Sequence, residues 1–192
     1  MKAVAERVSG LLDVYLEKWR KVYYKEIEQG PSRVEAVKDP PIQCFMVSDR
    51  PFFAEINYED PLYVNIFRSI EYSALKYNLP SKIVVMRISG YRLGVDLVKG
   101  GLIKSLDDVP IVLAMYKIGL TDIVKESTNL MSINIYECIS CYGLPNLNKT
   151  MCDFEAGVLQ GILSCLYGSN IVKERYCWGL GFSFCGFDVI FE

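Results

Sequence analysis

The 192-residue chain contains no histidine. That absence excludes Ser-His-Asp and Cys-His catalysis, histidine-ligated metal sites and axial histidine ligation of haem. Any chemistry falls to cysteine, aspartate, glutamate, lysine, tyrosine or a cofactor. Long apolar runs are missing too: charges interrupt every apolar stretch well short of the roughly 20 residues that cross a bilayer, and no membrane span is expected. Residues 1–30 mix charged and apolar side chains in every turn, without the apolar stretch or small-residue cleavage site of a secretory signal. A cytoplasmic location is therefore expected. A net charge of −2 with no Lys/Arg run gives no footprint for nucleic acid. Neither a Gly-x-Gly-x-x-Gly after a strand nor a phosphate-binding loop occurs, so the chain has no evident nucleotide reductant of its own.

What is abundant is cysteine. Seven occur, Cys44, Cys138, Cys141, Cys152, Cys165, Cys177 and Cys185, and six of them fall after residue 137. In a reducing compartment such a number points to metal binding or catalysis ahead of disulfides. The length suits one core with an appended segment: residues 1–44 as an N-terminal helix and loop able to dimerise, and 45–192 as one domain.

The hydrophobic periodicity predicts an α/β chain of the α+β kind, an antiparallel sheet with packed helices. Val4, Val8, Leu11, Leu12, Tyr15, Trp19, Val22 and Tyr23 recur at helical spacing over 3–29, and Gly30-Pro31 ends the run. Asp39-Pro40-Pro41 marks a loop. Helical spacing returns over 61–76, and Ile83-Val84-Val85 reads as a strand or as the start of the next helix. Gly90 and Gly94, four apart in a helical stretch over 89–99, suit close approach to another backbone. Asp107-Asp108 with Pro110 reads as a helix start. Residues 132–141 alternate as a half-buried strand, with Glu137 on its apolar side, where it needs a metal, a lysine or an arginine as partner. Residues 154–166 read as a helix stopped by Gly168, and 171–178 and 184–191 as strands joined in a tight hairpin at Gly179 and Gly181.

That hairpin folds Glu174 and Cys177 back towards Cys185, while Cys152 sits just ahead of the helix leading into it. A thiol near a helix N-terminus is more easily held as thiolate, the form that ligates metal. Three sulfurs and one carboxylate complete a closed tetrahedral site of the structural kind. Cys138 and Cys141 form a lone Cys-x-x-Cys; on a strand their side chains point to opposite faces unless a turn intervenes. Three roles stay open for them: ligands in place of Glu174, a redox pair, or none. Glu137 is a further candidate ligand, and Cys165, inside an apolar helix face, reads as a small buried side chain.

Cys152-Asp-Phe-Glu-Ala-Gly157-Val-Leu-Gln-Gly161, Glu174-Arg-Tyr-Cys177, Gly181 and Cys185-Gly-Phe187 resemble the signature of the 4-vinyl-reductase-like, or hydrocarbon-binding, domain. The resemblance spans roughly residues 83–192 and is specific from 137 onwards. That family is similar to the sensory part of phenol- and xylene-responsive activators and, remotely, to the Golgi tethering (TRAPP) subunits that hold an acyl chain. The resemblance implies a ligand-binding domain of the type shared by nitric-oxide signalling and Golgi transport proteins, with a structural zinc on Cys152, Glu174, Cys177 and Cys185. An iron–sulfur cluster is the alternative occupant.

Three functions follow. The first is a sensor or carrier for an apolar small molecule, in a pocket between the helices and the strand at 132–141; Tyr91, Met115, Met131, Ile133, Ile135 and Trp178 are the candidate lining. With no histidine to meet a phenol hydroxyl, the ligand is expected to be an isoprenoid or acyl chain, or an aromatic without that requirement. The second is a part in the reduction of a tetrapyrrole vinyl group, disfavoured without a nucleotide site. The third is a homodimeric interaction module.

Overall fold

The structure, a computed structural model, describes residues 2–46, 50–56, 61–127 and 129–192. Its centre is a four-stranded antiparallel sheet in the order β1-β2-β4-β3, formed by β1 (Leu120–Glu126), β2 (Leu130–Tyr136), β3 (Asn170–Tyr176) and β4 (Cys185–Phe191). β2 sets the two faces by alternation. Met131, Ile133 and Ile135 join one buried cluster with Val158, Leu159 and Ile162 of α6 (Asp153–Tyr167) and Leu97 of α4 (Ser81–Lys99). Tyr136, with Leu120 and Phe184, turns to the other face and meets Val8, Leu12, Tyr15 and Leu16 of α1 (Lys2–Gln29) and Phe52 and Phe53 of α2 (Pro51–Glu55). Trp19 lies parallel on Tyr136, ring centroids 5.8 Å apart.

The apolar stripe of α1 is thus buried against its own chain. The loop beyond it is tied down as well: the Arg33 amide donates to the Gly181 carbonyl and the Val37 amide to that of Asn146, at 3.1 and 2.7 Å. α3 (Pro61–Lys76) follows its predicted span. α5 (Val109–Met115) starts where the acidic pair and Pro110 predicted, behind a capping box of Ser105 and Asp108.

Of the two readings left open for Ile83-Val84-Val85, the helix start holds: the run belongs to α4, with all three side chains exposed. Three other points differ from the sequence reading. β1 was not foreseen; Leu120, Thr121 and Asp122 are buried in succession and the register shifts between Ile123 and Lys125, which breaks the alternation. The strand expected to reach residue 141 ends at Tyr136, because Glu137 takes a left-handed φ of 50°. The β3–β4 pair is antiparallel as expected, but its connection is residues 177–184, containing a short 3-10 turn at Trp178–Leu180, and not a tight two-residue turn.

α4 and α6 cross backbone on backbone. A methyl group built on Gly90 would lie 2.0 Å from the Phe154 carbonyl oxygen, and on Gly94 2.3 Å from that of Val158. Reciprocally, a methyl group built on Gly157 or Gly161 would lie 2.3 or 2.2 Å from the carbonyl oxygens of Arg87 and Tyr91. The two glycines expected to permit close approach have two counterparts on α6.

Candidate metal centre

Where β2 ends, the backbone turns instead of continuing, and that turn builds the site. Residues 138–142 close on themselves, with the Tyr142 amide donating to the Cys138 carbonyl at 3.0 Å. The buried Arg68 of α3 reaches in and donates to the carbonyls of Ile139, Tyr142 and Cys138 at 2.6, 2.7 and 3.2 Å. Held this way, Cys138 and Cys141 point to the same place. Cys152 arrives as the N-cap of α6, Cys177 from just beyond β3, and Cys185 as the first residue of β4.

All five thiols are fully buried. Cys141 lies 3.2 Å from Cys152 and 3.1 Å from Cys185; Cys138 and Cys185 are each 3.4 Å from Cys152; Cys177 is 3.9 Å from Cys152 and 3.8 Å from Cys141. Two sets of four donors come within 4.8 Å of one another: Cys138, Cys141, Cys152 and Cys185, and Cys152, Glu174, Cys177 and Cys185. A tetrahedral ion with 2.3 Å bonds to sulfur has an edge of about 3.8 Å between sulfurs, close to these separations. Sulfurs this near one another can share an ion, whereas the iron and sulfide atoms of a cluster would need the thiols spread further. Soft thiols with one carboxylate and no imidazole are a donor set for zinc or a similar soft ion. The cluster is therefore able to hold a metal ion.

Two carboxyls flank it. Glu174 accepts the Cys152 amide at 3.0 Å. Glu155, in the first turn of α6, accepts from the Ser140 amide and hydroxyl at 3.1 and 2.8 Å and from the Cys138 thiol at 3.0 Å. Burial holds both carboxyls well above the usual carboxylate range, and the adjacent thiols Cys177 and Cys138 push the same way. Burial also raises Cys141, Cys152 and Cys185 well above the ordinary thiol value. At Cys138 and Cys177 burial is overcome by hydrogen bonds from the neighbouring thiols, and the pKa falls well below it. The metal-free cluster thus ionises only in part; a bound dication would ionise its ligands outright.

The remaining candidates lie elsewhere. Glu137 is fully buried, accepts the Phe52 amide at 2.9 Å and the Trp19 indole at 3.0 Å, and belongs to neither donor set among the described residues. It anchors α2 and α1 to the end of β2. Cys165 is exposed, contrary to its expected burial: the buried face of α6 is carried by neighbours such as Gly161, Ile162 and Leu163. Glu155 and Arg68 were missed: an acid in a helix's first turn and an arginine in an amphipathic helix have ordinary local explanations.

Of the six residues expected to line a pocket, Met131, Ile133, Ile135 and Trp178 share one buried cluster, while Met115 and Tyr91 lie apart from it. Met131, Ile133 and Ile135 are core side chains, Met115 packs under α1, Tyr91 is exposed on α4, and Trp178 lies under Arg33, its ring 4.2 Å from the guanidinium carbon. Met131 also lines an open cavity of about 430 Å³ beside Glu126, Tyr167 and Phe191. The more apolar cavity, about 350 Å³, is a groove between α3 and α4 lined by Ile70, Ala74, Leu79, Lys82, Val85 and Met86. Lys82 bridges this groove to the thiol cluster: its ammonium lies 2.6 Å from the buried Glu71 and 3.2 Å from Asp153, next to Cys152. No helix among the described residues is long and apolar enough to cross a membrane.

With this geometry in place, comparison with known proteins is informative. The V4R domain model matches residues 131–191, the stretch holding all five clustered thiols. Uncharacterized protein MJ1642 of Methanocaldococcus jannaschii is 37% identical over 128 residues, 66% of this chain and 76% of that protein. The crystal structure of the phenol-responsive sensory domain of the transcription activator PoxR, with phenol, is similar at a TM-score of 0.56 and 13% identity, over 66% of this chain and 73% of that one. A vinyl-4-reductase family protein from Methanocaldococcus jannaschii gives a TM-score of 0.49 at 19% identity, covering 70% and 85%.

Proposed function

Since the chain belongs to the V4R domain family, we propose that it is a cytoplasmic binding domain for an apolar small molecule, a sensor or carrier, built around a structural zinc ion. Cys152, Glu174, Cys177 and Cys185 would hold the ion. The observation that carries this reading is the buried sulfur cluster: donors from four separate segments meet with spacings close to one tetrahedral ion, and burial leaves no open position for a substrate. The ion supplies cross-linking. The chain's own residues do the rest: Arg68 and Glu155 fix the turn carrying Cys138 and Cys141, and the α6 N-terminus favours the Cys152 thiolate.

The ligand is assigned to the groove between α3 and α4, whose volume lies within the range of small-molecule sites. The fold shared with a domain that senses phenol supports a small apolar occupant. Without an imidazole to meet a phenol hydroxyl, an aliphatic or isoprenoid chain, or an unhydroxylated ring, suits the groove better. Ile70 of α3 and Val85 of α4 line the groove and are exposed, and Leu62 and Ile66 of α3 and Ile83, Val84 and Ile88 of α4 are exposed on the same two helices, more apolar surface than isolated residues account for. A second copy of the chain seated there would close the groove over its contents.

The test is native mass spectrometry and elemental analysis of protein purified without added metal or chelator. Bound zinc and a co-purified apolar molecule are expected. Cys177→Ser should lose zinc and thermal stability together. Val85→Glu, at the groove wall, should keep zinc but bind a hydrophobic fluorophore at least tenfold more weakly. A metal-free wild type, or unchanged fluorophore binding by Val85→Glu, would refute the corresponding half.

A further inference from the structure

Six candidate donors crowd one buried volume, and they form two overlapping quartets. Cys152 and Cys185 belong to both; Cys138 and Cys141 complete one, Glu174 and Cys177 the other. A tetrahedral ion is saturated by four donors, so a one-ion site leaves two of the six idle in a buried region. Sharing removes the surplus. We propose that the cluster is binuclear: two divalent ions of the zinc type bridged by the sulfurs of Cys152 and Cys185, one completed by Cys138 and Cys141, the other by Glu174 and Cys177. This rests on the single-ion reading above and extends it.

The shared edge has the right length. Cys152 and Cys185 are 3.4 Å apart, and two ions bonded to both at 2.3 Å would lie about 3.1 Å from each other. On the first ion Cys138 and Cys141 are already 3.4 and 3.2 Å from Cys152, and Cys141 is 3.1 Å from Cys185. On the second, Cys177 is 3.9 Å from Cys152. One contact must open on loading: Cys141 and Cys177, 3.8 Å apart, would sit on different ions.

Charge does not oppose a second ion. One dication on four ionised donors leaves two negative charges while the idle thiols stay neutral; two dications on five thiolates and one carboxylate leave two as well, so the second ion adds no net buried charge. Two guanidiniums stand close to that charge. Arg68 is buried against the 138–142 turn, and Arg33 lies over Trp178, next in sequence to Cys177.

Stoichiometry decides. Apo-protein prepared under argon and titrated with cobalt(II) should show thiolate-to-cobalt charge-transfer absorbance rising to two equivalents. The zinc-loaded protein should show a metal–metal vector near about 3.1 Å in X-ray absorption. The pairs Cys138→Ser/Cys141→Ser and Glu174→Gln/Cys177→Ser should each bind one equivalent and lose that vector. Saturation of the wild type at one equivalent, without a metal–metal vector, overturns the binuclear assignment and leaves the single structural ion standing; no binding at all overturns both. Should a variant not fold, the wild-type stoichiometry and vector still decide.

Discussion

A single carboxylate shows how tightly charge is managed around the site. Glu71 is fully buried on α3, and burial pushes its pKa up to about 7 although Lys82 stands 2.6 Å away and opposes the shift. The folded state therefore binds the Glu71 proton more tightly than the unfolded chain, whose carboxyl titrates near its ordinary value of 4.5. This contribution to stability is fully present below about pH 4.5 and is lost as pH rises through about 7. Glu71→Gln removes the titration. Relative to that variant the wild type should lose on the order of 3 kcal/mol between those limits, read from denaturant unfolding at several pH values; parallel curves would show that Glu71 keeps an ordinary pKa. The thiols were legible in sequence because free cysteines are scarce and these recur around turns. Arg68 was not, since nothing local distinguishes an arginine aimed at three carbonyls from one that lies along the surface.

Among the elements, α4 and α6 are held in register by absent side chains. Gly94→Ala would place a methyl 2.3 Å from the Val158 carbonyl oxygen, backbone that cannot rotate away. The helices must separate, at an expected cost of about 1–3 kcal/mol or more in chemical denaturation, whereas Gly10→Ala on α1, where a methyl meets nothing within 4 Å, should be neutral or slightly stabilising. Equal effects would mean that the helices are not in backbone contact. α1, α3 and α6 could be read from their periodicity because each buries one face. The start of α4 stayed open between helix and strand: its first turns expose Ile83, Val84 and Val85, so a β-branched run there has no buried face to mark its period. The turn at Glu137 was equally hidden, since a left-handed φ at a glutamate has no sequence signal, and it is this turn that brings Cys138 and Cys141 to the same point.

For the whole molecule, metal removal should act first on the C-terminal third. The donors are drawn from the turn after β2, the cap of α6 and both ends of the β3–β4 connection, and structural zinc contributes apparent free energies on the order of 10 kcal/mol. Chelation under reducing conditions should lower the melting temperature by about 20 °C or more. Amide hydrogen exchange should accelerate over 138–152 and 177–187 before it does in α1. An unchanged melting curve after verified metal loss would show that the thiols pack adequately on their own. The glycine seam gives this site a mechanical neighbour. α4 forms one wall of the groove, Cys152 caps α6, and at Gly90, Gly94, Gly157 and Gly161 no side chain lies between the two backbones to absorb a displacement. On the proposed reading the pair would work as one lever: a molecule that shifted α4 would shift Cys152 with it, and occupancy of the groove and affinity at the ion would be reciprocally linked quantities.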